Sequence, residues 1–489
     1  MHVVTPGTDY TPQSYRTLDY MAFYRRVRGR LESAVADLDA EISTYPEPCP
    51  QCDICPWLVL CDRQRRDDDH LCLVAGITRL QARELQAHDV TTRKSLGELP
   101  LPFPFKPGRG SRDGYHRVRE QSRIQLEGRV KAQPVYELLP VEAGHGLARL
   151  PEPSPGDVFF DFEGDPFVGE HGREYLFGYV SIDDSDDHYQ SDWAFTEEEE
   201  KRAFEAFIDA MMARWKLFPG FHIYHYAPYE PAALKRLMGR YATREVELDR
   251  LLRAERFVDL YAVVRQGLHA SVEKYSIKDL ERFFGFERPT DLREANLQRH
   301  ALERALEIGD LGSITDAMHD TVEAYNRDDC ISTKRLRDWL EELRTSLIAQ
   351  GKAISRPELK EGDPSETLSE EQKRVKKLME RLAADVPLVR EERSREQHAR
   401  WLLAQMLEWH RREDRAVWWE YYRLRDLTDE EMLDERSAIA GLKVMKRLEK
   451  VKKSHVDRYS YPRQETDVRV GDDLKTSLVG GTERSSQSI

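Results

Sequence analysis

The sequence has no apolar run of membrane-spanning length, and its first residues lack the apolar core of a signal peptide. The resulting expectation is a cytoplasmic location with no membrane partner. No Gly-x4-Gly-Lys-Ser/Thr phosphate loop occurs, which excludes a Walker-type nucleotide site in the chain. Positive charge is in deficit, with 75 Lys and Arg against 89 Asp and Glu and a formal net charge of −14. Any nucleic acid must therefore be met by local basic patches rather than by the field of the whole chain. Cysteine is scarce as well. Of six in 489 residues, four lie between positions 49 and 61, a clustering that fits a metal site better than a disulfide framework. Cys72 and Cys330 read as ordinary small apolar residues. What is abundant is charge of both signs, 34% of residues at a mean hydropathy of −0.69, in a chain long enough for two to four domains.

The most informative stretch is Gly156-Asp-Val-Phe-Phe-Asp-Phe-Glu-Gly-Asp-Pro166. Val158, Phe160 and Phe162 alternate with Phe159, Asp161 and Glu163, the period of a β-strand. Asp161 and Glu163 then share one face. Two carboxylates on a phenylalanine-rich strand need a positive partner, and their hard oxygens suit Mg²⁺ or Mn²⁺. An edge strand with a solvated acidic face explains the same pattern, so Asp-x-Glu alone leaves both readings open.

Strands and helices alternate from Gly156 to about Thr345, as in an α/β domain. Strands are expected at Tyr175–Ile182, Phe221–Tyr226 and Phe257–Tyr261. Helices are expected from Phe195 to Trp215, after Glu230-Pro231, and from Ser276 to Phe284. In Val322-Glu-Ala-Tyr-Asn-Arg-Asp-Asp-Cys-Ile331, Tyr325 and Asp329 stand four apart on one helix face.

Asp161, Glu163, Glu230 and Asp329, with Tyr325 one turn before Asp329, resemble the DEDD exonuclease pattern in order and approximate spacing. Ser276-Ile-Lys-Asp-Leu280 and Phe283-Phe-Gly285 fit between its second and third motifs. The resemblance implies a ribonuclease H-like mixed sheet flanked by helices and a metal-dependent 3′–5′ exonuclease. It implies two Mg²⁺ or Mn²⁺ ions about 4 Å apart, bridged by Asp161 and completed by Glu163, Glu230 and Asp329. Tyr325 would orient the attacking water, since a phenol of pKa near 10 is a poor base at neutral pH. One departure stands out. The third acid is usually Asp in an Asn-x2-Phe-Asp phrase, whereas this chain has His225-Tyr-Ala-Pro-Tyr-Glu230, whose longer carboxylate would weaken metal binding or shift the metal geometry. Asp259 is the fallback ligand, with a strand-end cap as its alternative role.

Upstream, Cys49-x2-Cys52-x2-Cys55-x5-Cys61 follows Tyr45-Pro-Glu-Pro48. Its last three cysteines resemble the closing part of the iron–sulfur staple of RecB-family nucleases, whose first cysteine lies far upstream. A [4Fe-4S] cluster is implied, with zinc as the alternative. The succession of parts resembles the RecB-like nucleases that carry a YprB-type domain. It implies a C-terminal remnant of a PD-(D/E)xK nuclease at 1–45, a cysteine cluster at 46–63 and a helix-hairpin-helix-like element at 64–101. A linker with short strands follows at 102–155, with alternation between Ile124 and Leu139 and basic residues Lys106, Arg109, Arg112, Arg117, Arg119 and Arg123. The exonuclease domain occupies 156–345. A charged helical arm at 346–489, with Trp401, Trp409, Trp418 and Trp419 and a basic segment from Lys443 to Lys453, leads toward an absent superfamily 1 helicase domain or subunit. The expectation is a truncated or split form in which only the second nuclease is complete, acting on nucleic acid, with single-stranded DNA favoured and RNA possible. Two other functions stay open: a catalytically weak nucleic-acid-binding scaffold for a partner helicase or nuclease, and an RNA-processing nuclease.

Overall fold

The computed structural model describes residues 1–4, 12–36, 45–49, 51–52, 55–108, 112–183, 186–362, 366–387 and 390–407. Beyond these it describes 409–410, 419–421, 423–425, 427, 432–433, 435–451, 454–462, 464, 466–469, 473–474 and 487–488. Arg109, Trp418 and Lys453, named above, lie outside the described residues. The chain forms two compact units. One comprises Met1–Gly76, Thr92–Lys94 and Gln121–Glu361, the other Ile77–Thr91, Ser95–Glu120 and Gly362–Ile489.

The first unit is built on a five-stranded mixed sheet: β1 (Val158–Asp165), β2 (Arg173–Asp183), β3 (Asp186–Trp193), β4 (Ile223–His225) and β5 (Phe257–Asp259), in the order β3-β2-β1-β4-β5. β1 runs antiparallel to β2 and parallel to β4, so it is central and buried on both faces. That explains its run of aromatics. Phe160 stacks at 4.1 Å on Phe207 of α1 (Glu197–Leu217), while Phe159 stacks at 5.3 Å on Tyr224 on the opposite face. α1 begins with four glutamates behind a Thr196/Glu199 capping box, which suits the positive end of a helix.

The chain continues through α2 (Tyr229–Tyr241), α3 (Glu245–Arg253), α4 (Leu260–Gly267), α5 (Ile277–Phe284) and α6 (Leu292–Glu307) to the long α7 (Asp316–Ala349). Cys330, Leu336 and Leu340 of α7 join Phe159, Val180 and Tyr224 in one core. The odd-numbered face of β1, with Asp161 and Glu163, is thereby the one covered by α7. A buried ion pair fixes the register of the two elements. Arg337 Nη1 is 2.7 Å from Asp157, whose oxygens also accept backbone N–H groups from Ser154 and His222. The guanidinium lies 4.9 Å over Phe159 and 5.1 Å over Tyr224.

The fold is thus the mixed, helix-flanked sheet that the pattern predicts, with two local differences. β3 carries almost no hydrophobic signal (Asp-Asp-His-Tyr-Gln-Ser-Asp-Trp) because it is the outer strand and needs only one covered side. Around Ile124 the alternation predicts a strand, whereas a helix, Arg112–Lys131, runs there and the strand is confined to Tyr136–Leu138, paired with Leu268–Ala270. The helix hides its period because part of its buried face is polar. Gln125 accepts from Ala75 N at 3.1 Å and donates to Leu73 O at 2.8 Å, and Gln121 donates to Ala270 O at 2.9 Å.

The second unit holds helices Arg79–Gln86, Glu366–Ala383 and Arg395–Met406. Part of the basic segment of the tail is not helical: Lys443–Val451 and Ser454–Ser460 form an antiparallel hairpin. Among the described residues, no helix is long and apolar enough to cross a membrane.

Candidate active site

β1 and α7 bring three acids together. Ligand oxygens of Asp161, Glu163 and Asp329 all lie within 4.8 Å of one another, and Glu163 and Asp329 are only 6% and 8% exposed. The backbone is arranged for this approach. Gly178 of β2 is the cross-strand partner of Asp161, and a Cβ there would sit 1.7 Å from Asn326 Oδ1. Through that gap the fully buried Asn326 donates from Nδ2 to Asp161 Oδ2 at 2.9 Å and to Asp161 O at 3.3 Å. Its Oδ1 in turn accepts from the Tyr189 hydroxyl at 2.9 Å. Asp161 is therefore aimed by a network that no single motif residue supplies.

Three like charges in a dry pocket oppose one another. Burial first, then Asp329, Glu163 and Glu230, push the Asp161 carboxyl well above the usual carboxylate range. Burial and Asp329 likewise push Glu163 up to about 8, against the opposing pull of Arg299 and Lys278. Clustered hard oxygens with an excess of negative charge fit a divalent cation of the Mg²⁺ or Mn²⁺ kind.

The protein supplies part of the counter-charge itself. Arg288 Nη2 is 2.5 Å from Asp329 Oδ1 and grips Glu281 with two nitrogens. Lys278 Nζ lies 3.5 Å from Asp329 Oδ2 and donates to the Tyr325 hydroxyl. Arg299 Nη1 is 3.8 Å from Glu163 Oε2. Tyr325 itself is buried, and burial together with Asp329 raises its pKa, so the phenol keeps its proton at neutral pH.

Glu230 is placed differently. It sits in the first turn of α2, 4% exposed, with Oε2 3.4 Å from His225 Nδ1. His225 Nδ1 is also 2.7 Å from Ala227 O, and since a carbonyl can only accept, that nitrogen carries a proton. Burial lowers the His225 pKa, but Glu230, Asp259 and the Ala227 carbonyl together outweigh this and raise it. The charge of Glu230 reaches Asp161, yet Glu230 is not one of the three converging acids. The turn that presents it contains Ala227 at φ 72°, a strained conformation for a side-chain-bearing residue, and its N–H donates to Asp259 Oδ1 at 3.0 Å. Asp259, the fallback ligand, also caps α4 by accepting from Tyr261 N and Ala262 N.

In the cysteine segment, Cys49 and Cys52 Sγ are 3.8 Å apart and Arg65 Nη2 is 3.8 Å from Cys52 Sγ. The N–H of Cys49, donated to the Cys52 sulfur, helps lower that thiol's pKa. Cys55 and Cys61 are half-buried. Among the described residues, no three of these four sulfurs approach one another as the three acids do. Cys72 is half-buried, and Cys330 is buried beneath the acids with Sγ 3.4 Å from Gly178 O.

Sequence reasoning passed over Gly178, Asn326, Arg288 and Arg299 and gave Lys278 no role. Asn326 and Lys278 lie inside quoted motifs, so proximity to a motif was the available signal. Arg288 and Arg299 had none.

No curated protein and no solved structure matches the chain. Residues 158–341, from the first residue of β1 well into α7, match the RNase_H_2 family model, which belongs to the RNase_H superfamily. In fold, this stretch is ribonuclease H-like.

Proposed function

We propose that the ribonuclease H-like domain is a metal-dependent nuclease that trims nucleic acid from the 3′ end. The carrying observation is the convergence of Asp161, Glu163 and Asp329 within 4.8 Å. The exonuclease direction and the preference for single-stranded DNA rest on the DEDD-like order of motifs. Bound at these three carboxylates, one or two divalent ions would neutralise phosphate charge and lower the pKa of the attacking water. Asn326 holds the Asp161 carboxylate in one orientation. Tyr325, protonated, can orient a water by hydrogen bonding but cannot take its proton. Glu230, with Oε2 3.4 Å from His225 Nδ1, adds its negative charge to the surroundings of Asp161 from outside the three-acid cluster. The four cysteines are proposed, on spacing alone, to hold an iron–sulfur cluster or zinc, and the tail to adjoin a helicase.

A second reading has an observation of its own. Glu230 is paired with His225, and Asp329 is covered by Arg288 and Lys278, as in a scaffold that binds nucleic acid without cutting it. The purified protein, given 3′-labelled single-stranded DNA or RNA with Mn²⁺, separates the two. Shortening by the wild type and a loss of about a thousandfold in Asp161→Ala, equal to several kcal/mol of transition-state stabilisation, is the nuclease result. No shortening of either strand, or equal rates in Asp161→Ala, is the scaffold result.

A further inference from the structure

Three cations touch the acid cluster, and they are not equivalent. Arg288 is committed: its side chain is 6% exposed, and Nε and Nη2 are engaged by Glu281 and Asp329, leaving only a buried Nη1 without a hydrogen bond. Lys278 and Arg299 are bound less closely to the acids, although Lys278 is tied to Tyr325. Lys278 keeps 34% of its side chain in solvent and stands 3.5 Å from Asp329, on the flank marked by Tyr325. Arg299 keeps 30% exposed on the Glu163 flank. Its ties to Glu163 (from Nη1) and Glu303 (from Nε) are 3.8 and 3.7 Å, too long for hydrogen bonds, so the ion pairs hold it without a directed bond from either nitrogen. A guanidinium with unused donors beside the cluster is a ready phosphate ligand.

We propose that Lys278 and Arg299 are phosphate-contacting residues, which neutralise the acids in the free protein and turn to the substrate's phosphates when cations take the carboxylates. The assignment rests on the nuclease reading for its purpose but not for its test. Divalent metal and these side chains compete for the same oxygens, so removing either should have opposite effects on metal and on nucleic acid. A merely structural ion pair would not behave this way.

The experiment measures binding of fluorescent single-stranded DNA by anisotropy, with Ca²⁺ in place of Mn²⁺, across a salt series. Mn²⁺ binding to the protein alone is followed by electron paramagnetic resonance. Lys278→Met and Arg299→Met should each weaken DNA binding about tenfold, the size of one charge-assisted contact, and reduce the salt slope by about 0.7. Each should bind Mn²⁺ more tightly. Lys278→Arg should restore DNA binding. Arg288→Met should lower the melting temperature and leave the salt slope alone. Unchanged DNA affinity and slope in the two Met variants, an equal slope change in Arg288→Met, or no DNA binding by the wild type overturns the proposal. If the wild type shortens no strand while both variants lose affinity and slope, the phosphate contacts stand and only the nuclease reading falls.

Discussion

The acid cluster and the cysteine segment are both sets of metal-type ligands, and they are built on opposite plans. The acids come from β1 and α7, far apart in sequence, and meet because a central strand and a long helix are locked together by the buried Asp157–Arg337 pair. The cysteines are neighbours in sequence, strung on successive turns in which Cys52 N bonds Cys49 O and Cys55 N bonds Cys52 O. A framework of sheet and helix holds like charges together at an electrostatic cost that a cation would later relieve. A run of turns holds no such tension, and its thiols can be gathered by the ion itself. Closeness imposed by the fold is therefore the stronger sign of a site than closeness in sequence.

The first way to break this contrast is to remove the space that permits it. Gly178→Ala places a Cβ 1.7 Å from Asn326 Oδ1, in a fully buried contact that cannot yield without moving Asn326. Overpacking of this kind costs about 1–3 kcal/mol. A misplacement of Asp161 by about 1 Å can cost about a hundredfold in rate. The expected result is a lower melting temperature together with that loss of Mn²⁺-dependent cleavage. A variant that cleaves normally would show that Asn326 does not aim Asp161.

How much of this was legible in the sequence follows from which interactions are local. The strand period of Val158 to Glu163 and the helical spacing of Tyr325 and Asp329 are short-range facts, and both carried through to the elements observed. Gly178, Asn326 and the cations depend on which strand lies beside β1 and which helix crosses it, so nothing local announces them. Glu230 shows the limit in the other direction. Its motif position is right for a helix start, but its contact with His225 joins it to a turn whose positive φ falls on Ala227, with no glycine to mark it.

A second test uses pH to measure the tension in the acid cluster. Burial and Asp329 raise Glu163 from its ordinary value of 4.5 to about 8. Between those values the folded chain holds a proton that the unfolded chain has released, so stability falls as pH rises through the window. Below about 4.5 both states are protonated, and above about 8 neither is. Without metal, the melting temperature should fall by a few degrees between pH 5 and pH 8, roughly what 1 kcal/mol or more produces in a domain of this size. Glu163→Gln should flatten that fall. Added Mn²⁺ binds the deprotonated form, so the stabilisation it gives should instead grow with pH. A metal-free melting temperature that rises with pH over this range would mean the acids are not under tension.

The smallest effect is expected where the two regions connect. The helix Leu58–Asp67, which carries Cys61, reaches the ribonuclease H-like domain at Glu273, a few residues before Lys278: Arg93, paired with Asp69, holds Glu273 at 2.9 Å, and Arg66 meets it at 2.8 Å. Both partners of that pair are substantially exposed, at 52% and 32%, and exposed pairs contribute less than about 1 kcal/mol. Transmission through it is thus limited to about a fivefold change in rate. Protein purified without oxygen should be brown, and Cys52→Ser should bleach it while shifting the cleavage rate by no more than that factor. A colourless wild type carrying zinc would replace the cluster with a zinc site and leave the rate prediction intact. A loss of cleavage comparable to that of Asp161→Ala would instead join the two regions into one functional site, with the more buried Arg93 bridge rather than the exposed Arg66 pair as the route.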